Sequence, residues 1–222
     1  MDSLEKAGCS GEQAKELVID VFQVIQNNLM EQVMLVTAET WPDFIAAQHA
    51  QDPIRILEVG VGTGEFSVRM LPLFIEKSAI SFGLDFAENM IGCTRERLIY
   101  GMHLPKEAIN LLQGDATQLP FSNSSMSLVV WGKFGLHLTG LAEWEIALEE
   151  VKRVLLPKGF FLLYEPLHEN NLNYHEQRRT GDGALFRSVT DYDKALFDCK
   201  RVATIYRRFC WEIYSIALWQ KL

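Results

Sequence analysis

The first part of the chain carries apolar side chains three or four residues apart. Between residues 12 and 36 this spacing predicts an amphipathic helix, because one turn of an α-helix holds 3.6 residues. A second, shorter helix is expected near residues 38–50, and Asp52-Pro53 ends it, since proline cannot continue a helix. We therefore expect residues 1–52 to form a helical cap. The apolar stripe of the first helix consists of Val18, Phe22, Ile25, Leu29, Val33 and Val36.

From residue 53 onward the pattern changes to short apolar runs separated by helical stretches. Such runs are typical of buried parallel strands covered by helices on both faces. The last two runs are separated only by Cys210-Trp211, and so short a connection requires an antiparallel pair. The pattern predicts an α/β fold with a doubly wound, mostly parallel, Rossmann-like sheet and a C-terminal antiparallel hairpin. The runs are Arg55–Val59, Ala79–Leu84, Asn110–Gln113, Ser127–Trp131, Phe160–Tyr164, Val202–Phe209 and Glu212–Trp219.

Composition narrows the classes of protein to which the chain can belong. At 222 residues, with 48% hydrophobic and 23% charged residues, it fits a single domain over 1–222 and excludes a disordered chain. The formal net charge of −8 disfavours a nucleic-acid partner, since phosphates are normally met by a basic surface. The polar N-terminus does not resemble a secretory signal, and residues 17–36 are too polar to span a membrane.

Cysteine spacing bears on metal binding and on the cellular compartment. The four cysteines stand at positions 9, 93, 199 and 210. They show neither the C-x-x-C spacing of a zinc site nor a disulfide framework. We expect no metal cofactor and a reduced, cytoplasmic setting.

The segment at 58–64, EVGVGTG, follows the first predicted strand. Its glycines, Gly60, Gly62 and Gly64, let the chain turn sharply and let a ligand lie against the backbone. A dinucleotide fingerprint that begins at Gly60 needs its third glycine at position 65, which is Glu65, and a P-loop needs a Gly-Lys-Ser/Thr that does not follow. The glycines therefore indicate either a tight strand-to-helix turn or a ligand site of another kind.

Two acids stand at the ends of the next two predicted strands. Asp85 lies 21 residues past Gly64, where a doubly wound sheet places an acid that accepts hydrogen bonds from ribose hydroxyls. Capping of the next helix is the structural alternative for this aspartate. Asp115 ends the third strand. Because open α/β sheets bind ligands at the carboxyl ends of their strands, we expect the glycine turn and both acids to converge there.

Four segments stand out together: ILEVGVGTG at 56–64, GLDFAENMI at 83–91, QGDATQLPF at 113–121 and EVKRVLLPKGF at 150–160. In this order they resemble the class I S-adenosylmethionine-dependent methyltransferases, particularly the small-molecule branch of ubiquinone-biosynthesis type (methyltransferase type 11). The resemblance covers roughly residues 53–165, the expected cofactor-binding core. It implies a seven-stranded sheet with a reversed last strand. It also implies S-adenosylmethionine as cofactor, S-adenosylhomocysteine as product and methyl transfer by in-line displacement to a small-molecule acceptor.

The resemblance further implies roles for individual residues. Glu58 is expected to organise the turn and the ammonium end of the cofactor, and Asp85 to hold the ribose hydroxyls. Asp115 is expected to accept a hydrogen bond from the adenine amino group. The remaining cofactor residues are Gly60, Gly62 and Gly64 along the methionine and ribose portions, Phe86, Met90 near the adenine, and Ala116 through its backbone.

A general base is needed only for acceptors such as a poorly ionised hydroxyl, an ammonium or a carbon acid. His137, just past the fourth strand, is the first catalytic candidate, although a capping or packing histidine explains it equally simply. Glu165, at the tip of the fifth strand, is the second. The first 50 residues and residues 166–198 match no segment of the family, and we expect the acceptor pocket to come from them. Residues 166–222 would then hold a substrate-side insert and the C-terminal hairpin.

Two features keep a second function open. The family commonly has Phe-Asp at the entry to the fourth strand, where Met126-Ser127 stand here. The 12–36 helix is also suited to pair with another chain, which would give a homodimer. The alternative is therefore a catalytically silent S-adenosylmethionine-binding module that acts as an assembly or regulatory partner. A nicotinamide oxidoreductase is disfavoured by the glycine spacing.

Overall fold

The computed structural model describes residues 53–76, 78–166, 187–209 and 212–222. The expected helical cap at 1–52 lies outside the described residues, as do residues 167–186 of the expected substrate-side insert and the connection at Cys210-Trp211. The described part of the chain contains the expected cofactor-binding core and both strands of the C-terminal hairpin.

In the described part of the chain, seven strands form one sheet. They are β1 (Arg55–Val59), β2 (Ile80–Asp85), β3 (Asn110–Gln113), β4 (Met126–Gly132), β5 (Leu155–Pro166), β6 (Cys199–Phe209) and β7 (Glu212–Lys221). Their order across the sheet is β3-β2-β1-β4-β5-β7-β6. The first five strands pair in parallel, whereas β7 runs antiparallel to both β5 and β6. The predicted fold class, including the reversed last strand, is confirmed.

Helices cover the two faces of this sheet. They are α1 (Glu65–Glu76), α2 (Glu88–Glu96), α3 (Leu141–Val154) and α4 (Val189–Ala195). A π-turn at Arg97–Gly101 continues α2, and short 3-10 turns occur at Lys106–Ala108 and Gly135–His137. Among the described residues, none of the helices combines the length and the apolar character that crossing a membrane would require.

The alternation of side chains along β1 explains why helices are needed on both faces. Ile56 packs into one apolar cluster with Phe66, Met70 and Phe74 of α1. Leu57 packs into the other cluster, which contains residues of α3 and α4. Because successive strand residues point to opposite faces, a strand with apolar residues on both faces is stable only when both faces are covered.

The sequence around α4 carries a start signal of its own. The Ser188 hydroxyl accepts a hydrogen bond from the Asp191 backbone N–H at 3.2 Å, and the Asp191 carboxylate accepts one from the Ser188 backbone N–H at 2.9 Å. This reciprocal capping box satisfies two backbone donors that a helix N-terminus otherwise leaves free. It fixes where α4 begins.

Candidate functional site

The three glycines after β1 all adopt left-handed backbone conformations. Their φ angles are +73° at Gly60, +53° at Gly62 and +78° at Gly64. A Cβ at Gly60 would overlap the ring of Phe134, and one at Gly64 would lie 2.9 Å from Cγ2 of Thr94. At Gly62 the nearest such neighbour would be a backbone oxygen at 3.9 Å. Close packing therefore requires glycine at 60 and 64, whereas at position 62 a Cβ would make only an ordinary contact and glycine is favoured by the backbone angle alone.

Strand β2 holds this glycine turn in place. The backbone N–H groups of Gly60 and Val61 both donate to the Leu84 carbonyl, at 2.8 and 3.0 Å. The N–H of Gly62 donates to Oδ2 of Asp85 at 2.8 Å, while Oδ1 accepts the Ala87 N–H at 2.9 Å. An ionised carboxylate has about four acceptor sites, so Asp85 keeps acceptor capacity beyond these two bonds. The aspartate thus both shapes the turn and remains able to accept a ligand's hydroxyls.

Glu58 is a buried acid at this edge of the sheet. Its side chain is only 3% exposed, and the Ser67 hydroxyl of α1 donates to Oε2. Burial raises the pKa of Glu58 to about 8; the Ser67 hydrogen bond opposes the shift, and the nearby charges of Glu65 and Asp85 add to it. A buried acid at a strand end, close to other carboxylates, is favourable for binding a cation.

The end of β3 completes the edge. The Gly114 N–H donates to the Asp85 carbonyl at 2.9 Å, which ties the end of β3 to the end of β2. Asp115 is exposed, and its Oδ1 accepts hydrogen bonds from the Thr117 backbone N–H at 2.8 Å and from its hydroxyl at 2.7 Å. Ala116 is buried beside it.

Two apolar side chains stand next to the carboxyl end of β2. Phe86 follows β2 directly and is 75% exposed, which is unusual for so large a ring. Met90, in the first turn of α2, is half-buried. The elements that carry the expected cofactor residues therefore meet at the carboxyl ends of β1, β2 and β3.

The two catalytic candidates differ sharply in their surroundings. His137 is exposed at the end of the 3-10 turn that follows β4. Glu165 is only 1% exposed; its Oε1 accepts the Gly135 backbone N–H, and its Oε2 accepts the Tyr192 hydroxyl at 2.8 Å. Burial raises the pKa of Glu165 to about 7, against the lowering effect of the Tyr192 and Gly135 hydrogen bonds and of the Arg187 charge. Glu165 is therefore engaged by the protein itself, whereas His137 is accessible to a ligand.

Residues 56–159 match the family model described as a methyltransferase domain. This match, over just under half of the 222 residues, supports a class I S-adenosylmethionine-dependent methyltransferase domain. It coincides with the strands and turns that carry Glu58, the three glycines, Asp85 and Asp115.

A curated protein is similar to this chain in sequence, and many solved structures share its fold. The demethylmenaquinone methyltransferase of Staphylococcus aureus (strain MRSA252) is 31% identical over 112 residues, which are 50% of this chain and 43% of that protein. The chain thus matches less than half the length of this relative. An S-adenosylmethionine-dependent methyltransferase from Methanosarcina mazei superposes with a TM-score of 0.61 at 18% identity, covering 80% of this chain and 97% of that one.

The fold is also shared with a protein that is named for a different reaction. The [4+2]-cyclase SpnF superposes with a TM-score of 0.66 at 14% identity, over 86% of this chain and 81% of that one. A protein named for a cyclisation thus shares the architecture of the methyltransferase domain. The reaction must therefore be argued from the site and not from the fold.

Sequence reasoning missed several residues that shape the site. Ser67 of α1 donates to Glu58, and Thr94 of α2 donates to the Gly62 carbonyl. Arg187 donates to the Gly135 carbonyl after β4, and Tyr192 donates to Glu165. These contacts join residues 9 to 52 positions apart in the chain. The Ser188-x-x-Asp191 spacing is a local signal that could have located Arg187 and Tyr192, since it marks the start of a helix directly after Arg187.

Proposed function

We propose that this protein transfers a methyl group from S-adenosylmethionine to a small-molecule acceptor. The observation that carries the proposal is the buried carboxyl of Glu58, which stands at the end of β1 beside three left-handed glycines. Asp85 and Asp115 follow at the next two strand ends. S-adenosylmethionine is a sulfonium cation without a pyrophosphate, so acids and backbone groups suit it better than a lysine-bearing phosphate loop.

The residues present fit this cofactor. The absence of a Cβ at Gly62 lets a ligand approach the backbone, and Asp85 retains acceptor capacity for two ribose hydroxyls. Glu58 would face the cationic end. The adenine would lie against the exposed ring of Phe86 and the half-buried Met90. Asp115 would accept from the adenine amino group, with Ala116 contributing its backbone, and Gly60 and Gly64 would line the remaining wall.

When bound, S-adenosylmethionine supplies an electrophilic methyl group on a positively charged sulfur. The protein then has mainly to hold the acceptor in line with that group in a site from which water is excluded. Correct positioning alone can contribute roughly 7–11 kcal/mol toward lowering the barrier. We assign the role of general base, where the acceptor needs one, to His137, because it is exposed close to the carboxyl edge while Glu165 is committed to Gly135 and Tyr192.

Several observations favour a small molecule as acceptor. The curated relative is named for a demethylmenaquinone substrate, and the net charge of −8 disfavours nucleic acid. We place the acceptor-binding elements in residues 1–50 and 166–198, outside the segment that matches the family model. A single domain over residues 1–222, a cytoplasmic location and a homodimer through the 12–36 helix stay predictions.

The proposal is tested with S-adenosylmethionine radiolabelled at its methyl group. The purified protein is incubated with a metabolite extract, with extracted protein and with extracted nucleic acid, and label is followed into each fraction. We expect label in the metabolite fraction, and none there with the Asp85→Ala variant. Label only in protein or nucleic acid would contradict a small-molecule acceptor. Binding of the cofactor without transfer into any fraction would favour the silent binding module instead.

A further inference from the structure

The segment after β4, residues 133–138, lies against the glycine turn, and we refer to it as the post-β4 turn. Lys133 adopts a left-handed φ of +53°, and its ammonium lies 2.6 Å from the Glu65 carboxylate at the start of α1. The Phe134 ring packs so closely on Gly60 that no Cβ fits between them. The position of the post-β4 turn therefore sets the space that is left beside Gly60.

Two buried charged side chains hold this turn by its backbone. Glu165 accepts the N–H of Gly135, and the Tyr192 hydroxyl donates to the other carboxylate oxygen at 2.8 Å. Arg187 donates from Nη1 to the Gly135 carbonyl at 2.9 Å and from Nη2 to the Leu138 carbonyl at 2.6 Å. Both backbone polar groups of Gly135 are thus bound by side chains, one from β5 and one from the residue before the N-cap of α4.

The fit around Gly135 is close. A Cβ there would overlap the Tyr192 hydroxyl and lie 2.9 Å from Oε1 of Glu165. The Arg187 guanidinium lies 4.6 Å from the centroid of the Trp144 ring, and Arg187 is only 6% exposed. Burying two charged groups is unfavourable unless they are paired and hydrogen-bonded, and apolar residues of similar volume often stabilise a core equally well. Their use here is explained by the directional bonds that they make to one turn.

We propose that Glu165 and Arg187 are positioning residues that hold the post-β4 turn, keep Phe134 against Gly60 and thereby set the affinity of the glycine turn for the methyl donor. This inference rests on the proposed function, since it takes the glycine turn as the donor site. It assigns Glu165 a role through Gly135 and Phe134 instead of direct contact with substrate. The segment that follows residue 186 is thereby linked to the donor site.

The test compares four variants. Arg187→Met removes both donors but keeps an apolar stem of similar length, and Glu165→Ala removes the acceptor. Glu165→Gln keeps an oxygen that accepts the Gly135 N–H. Lys152→Met is the matched control, because Lys152 is also buried and bonds to Glu149 and to a backbone carbonyl. Lys152 lies near the C-terminal end of α3, whereas Arg187 packs on Trp144 near its N-terminal end.

The first measurement is hydrogen exchange of the Gly135 amide in the protein without cofactor. Loss of a hydrogen bond to a charged group is expected to speed exchange about tenfold in Glu165→Ala and Arg187→Met. Glu165→Gln and Lys152→Met should exchange like the wild type. Unchanged exchange in Arg187→Met and Glu165→Ala would overturn the assignment of these residues to the turn.

The second measurement is the Kd for S-adenosylhomocysteine by calorimetry, with the free energy of unfolding recorded for each variant. We expect Arg187→Met and Glu165→Ala to bind about tenfold more weakly, and Glu165→Gln and Lys152→Met within about twofold of the wild type. Faster Gly135 exchange with unchanged affinity would overturn the link to the donor site. If Glu165→Ala does not fold, Arg187→Met and Glu165→Gln decide the question. No binding by folded wild-type protein would refute the proposed function, whereas the exchange result would still stand by itself.

Discussion

Replacing Glu58 by glutamine is expected to change how the free energy of unfolding depends on pH. Burial raises the pKa of Glu58 from 4.5 to about 8 in the folded protein. As pH falls through 8 the native state takes up a proton, while the unfolded chain does so only near 4.5. Protonation of Glu58 therefore stabilises the fold at low pH, and that contribution is lost as pH rises through 8.

The magnitude follows from the two pKa values. Each pH unit between them is worth about 1.4 kcal/mol, so the wild type should gain about 2.5 kcal/mol from Glu58 between pH 8.5 and pH 6. A glutamine at position 58 cannot titrate and should lack this gain. The quantity to measure is the difference in unfolding free energy between wild type and Glu58→Gln, by urea titration at several pH values. Other titrating groups cancel in that difference.

Glu165→Gln provides a graded comparison. Burial also raises the pKa of Glu165, to about 7. Between pH 8.5 and pH 6, the difference in unfolding free energy between wild type and Glu165→Gln should therefore change by about 1.4 kcal/mol, with a midpoint one pH unit lower. Parallel pH profiles for wild type and Glu58→Gln would refute the reasoning, because they would mean that the buried carboxyl has the same pKa in both states.

Three further predictions concern the site. Gly60→Ala should destabilise the fold by about 3 kcal/mol, because it combines a left-handed backbone with overlap on Phe134, whereas Gly62→Ala should cost about 1 kcal/mol. Equal losses of unfolding free energy in urea denaturation would contradict the packing at Gly60. Affinity for S-adenosylmethionine should rise as pH approaches 8, and binding should release a proton, because a bound cation favours the carboxylate form of Glu58. Calorimetry in buffers of different ionisation enthalpy measures the proton release, and pH-independent binding would argue against contact between Glu58 and the cofactor. His137→Gln should lower kcat for an acceptor that needs deprotonation, by roughly 10²-fold or more, and leave the cofactor Kd unchanged; an unchanged kcat would remove His137 as the base.

The sequence was a good guide where structure depends on local pattern. The predicted run Asn110–Gln113 coincides with β3, and Arg55–Val59 coincides with β1. The glycines at 60, 62 and 64 do adopt the left-handed angles that only glycine adopts easily. Each of these features follows from side-chain period or backbone sterics within a few residues.

Strand ends were predicted less well where the sheet is irregular. The predicted run Phe160–Tyr164 is the centre of β5, which begins at Leu155 and passes through Pro157, Lys158 and Gly159. Leu155 pairs with Met126, and the register shifts before Leu128 pairs with Phe160. Proline and glycine normally interrupt a strand, so only the partner strand reveals that this segment belongs to the sheet.

In the candidate site, too, local features could be predicted from the sequence and long-range contacts could not. Glu58, Asp85 and Asp115 lie within two residues of the ends of β1, β2 and β3, as the pattern of strands predicted. The partners of Glu165 were not, because Gly135 lies 30 residues before it and Tyr192 lies 27 residues after it. Such long-range bonds form only when β4, β5 and α4 pack together, and no periodicity in one segment encodes them.

The central claim is that the carboxyl edge of β1 and β2 binds S-adenosylmethionine through Asp85. Isothermal titration of the folded protein tests it most directly, with Asp85→Ala as the variant and Asp193→Ala as the control. Asp193 lies on α4, away from the glycine turn, and its carboxylate accepts the Trp219 indole N–H at 2.9 Å. We predict one binding site in the wild type, an unchanged Kd in Asp193→Ala and a loss of about a hundredfold in Asp85→Ala. No binding by the folded wild type, or equal affinity in Asp85→Ala, would contradict the claim.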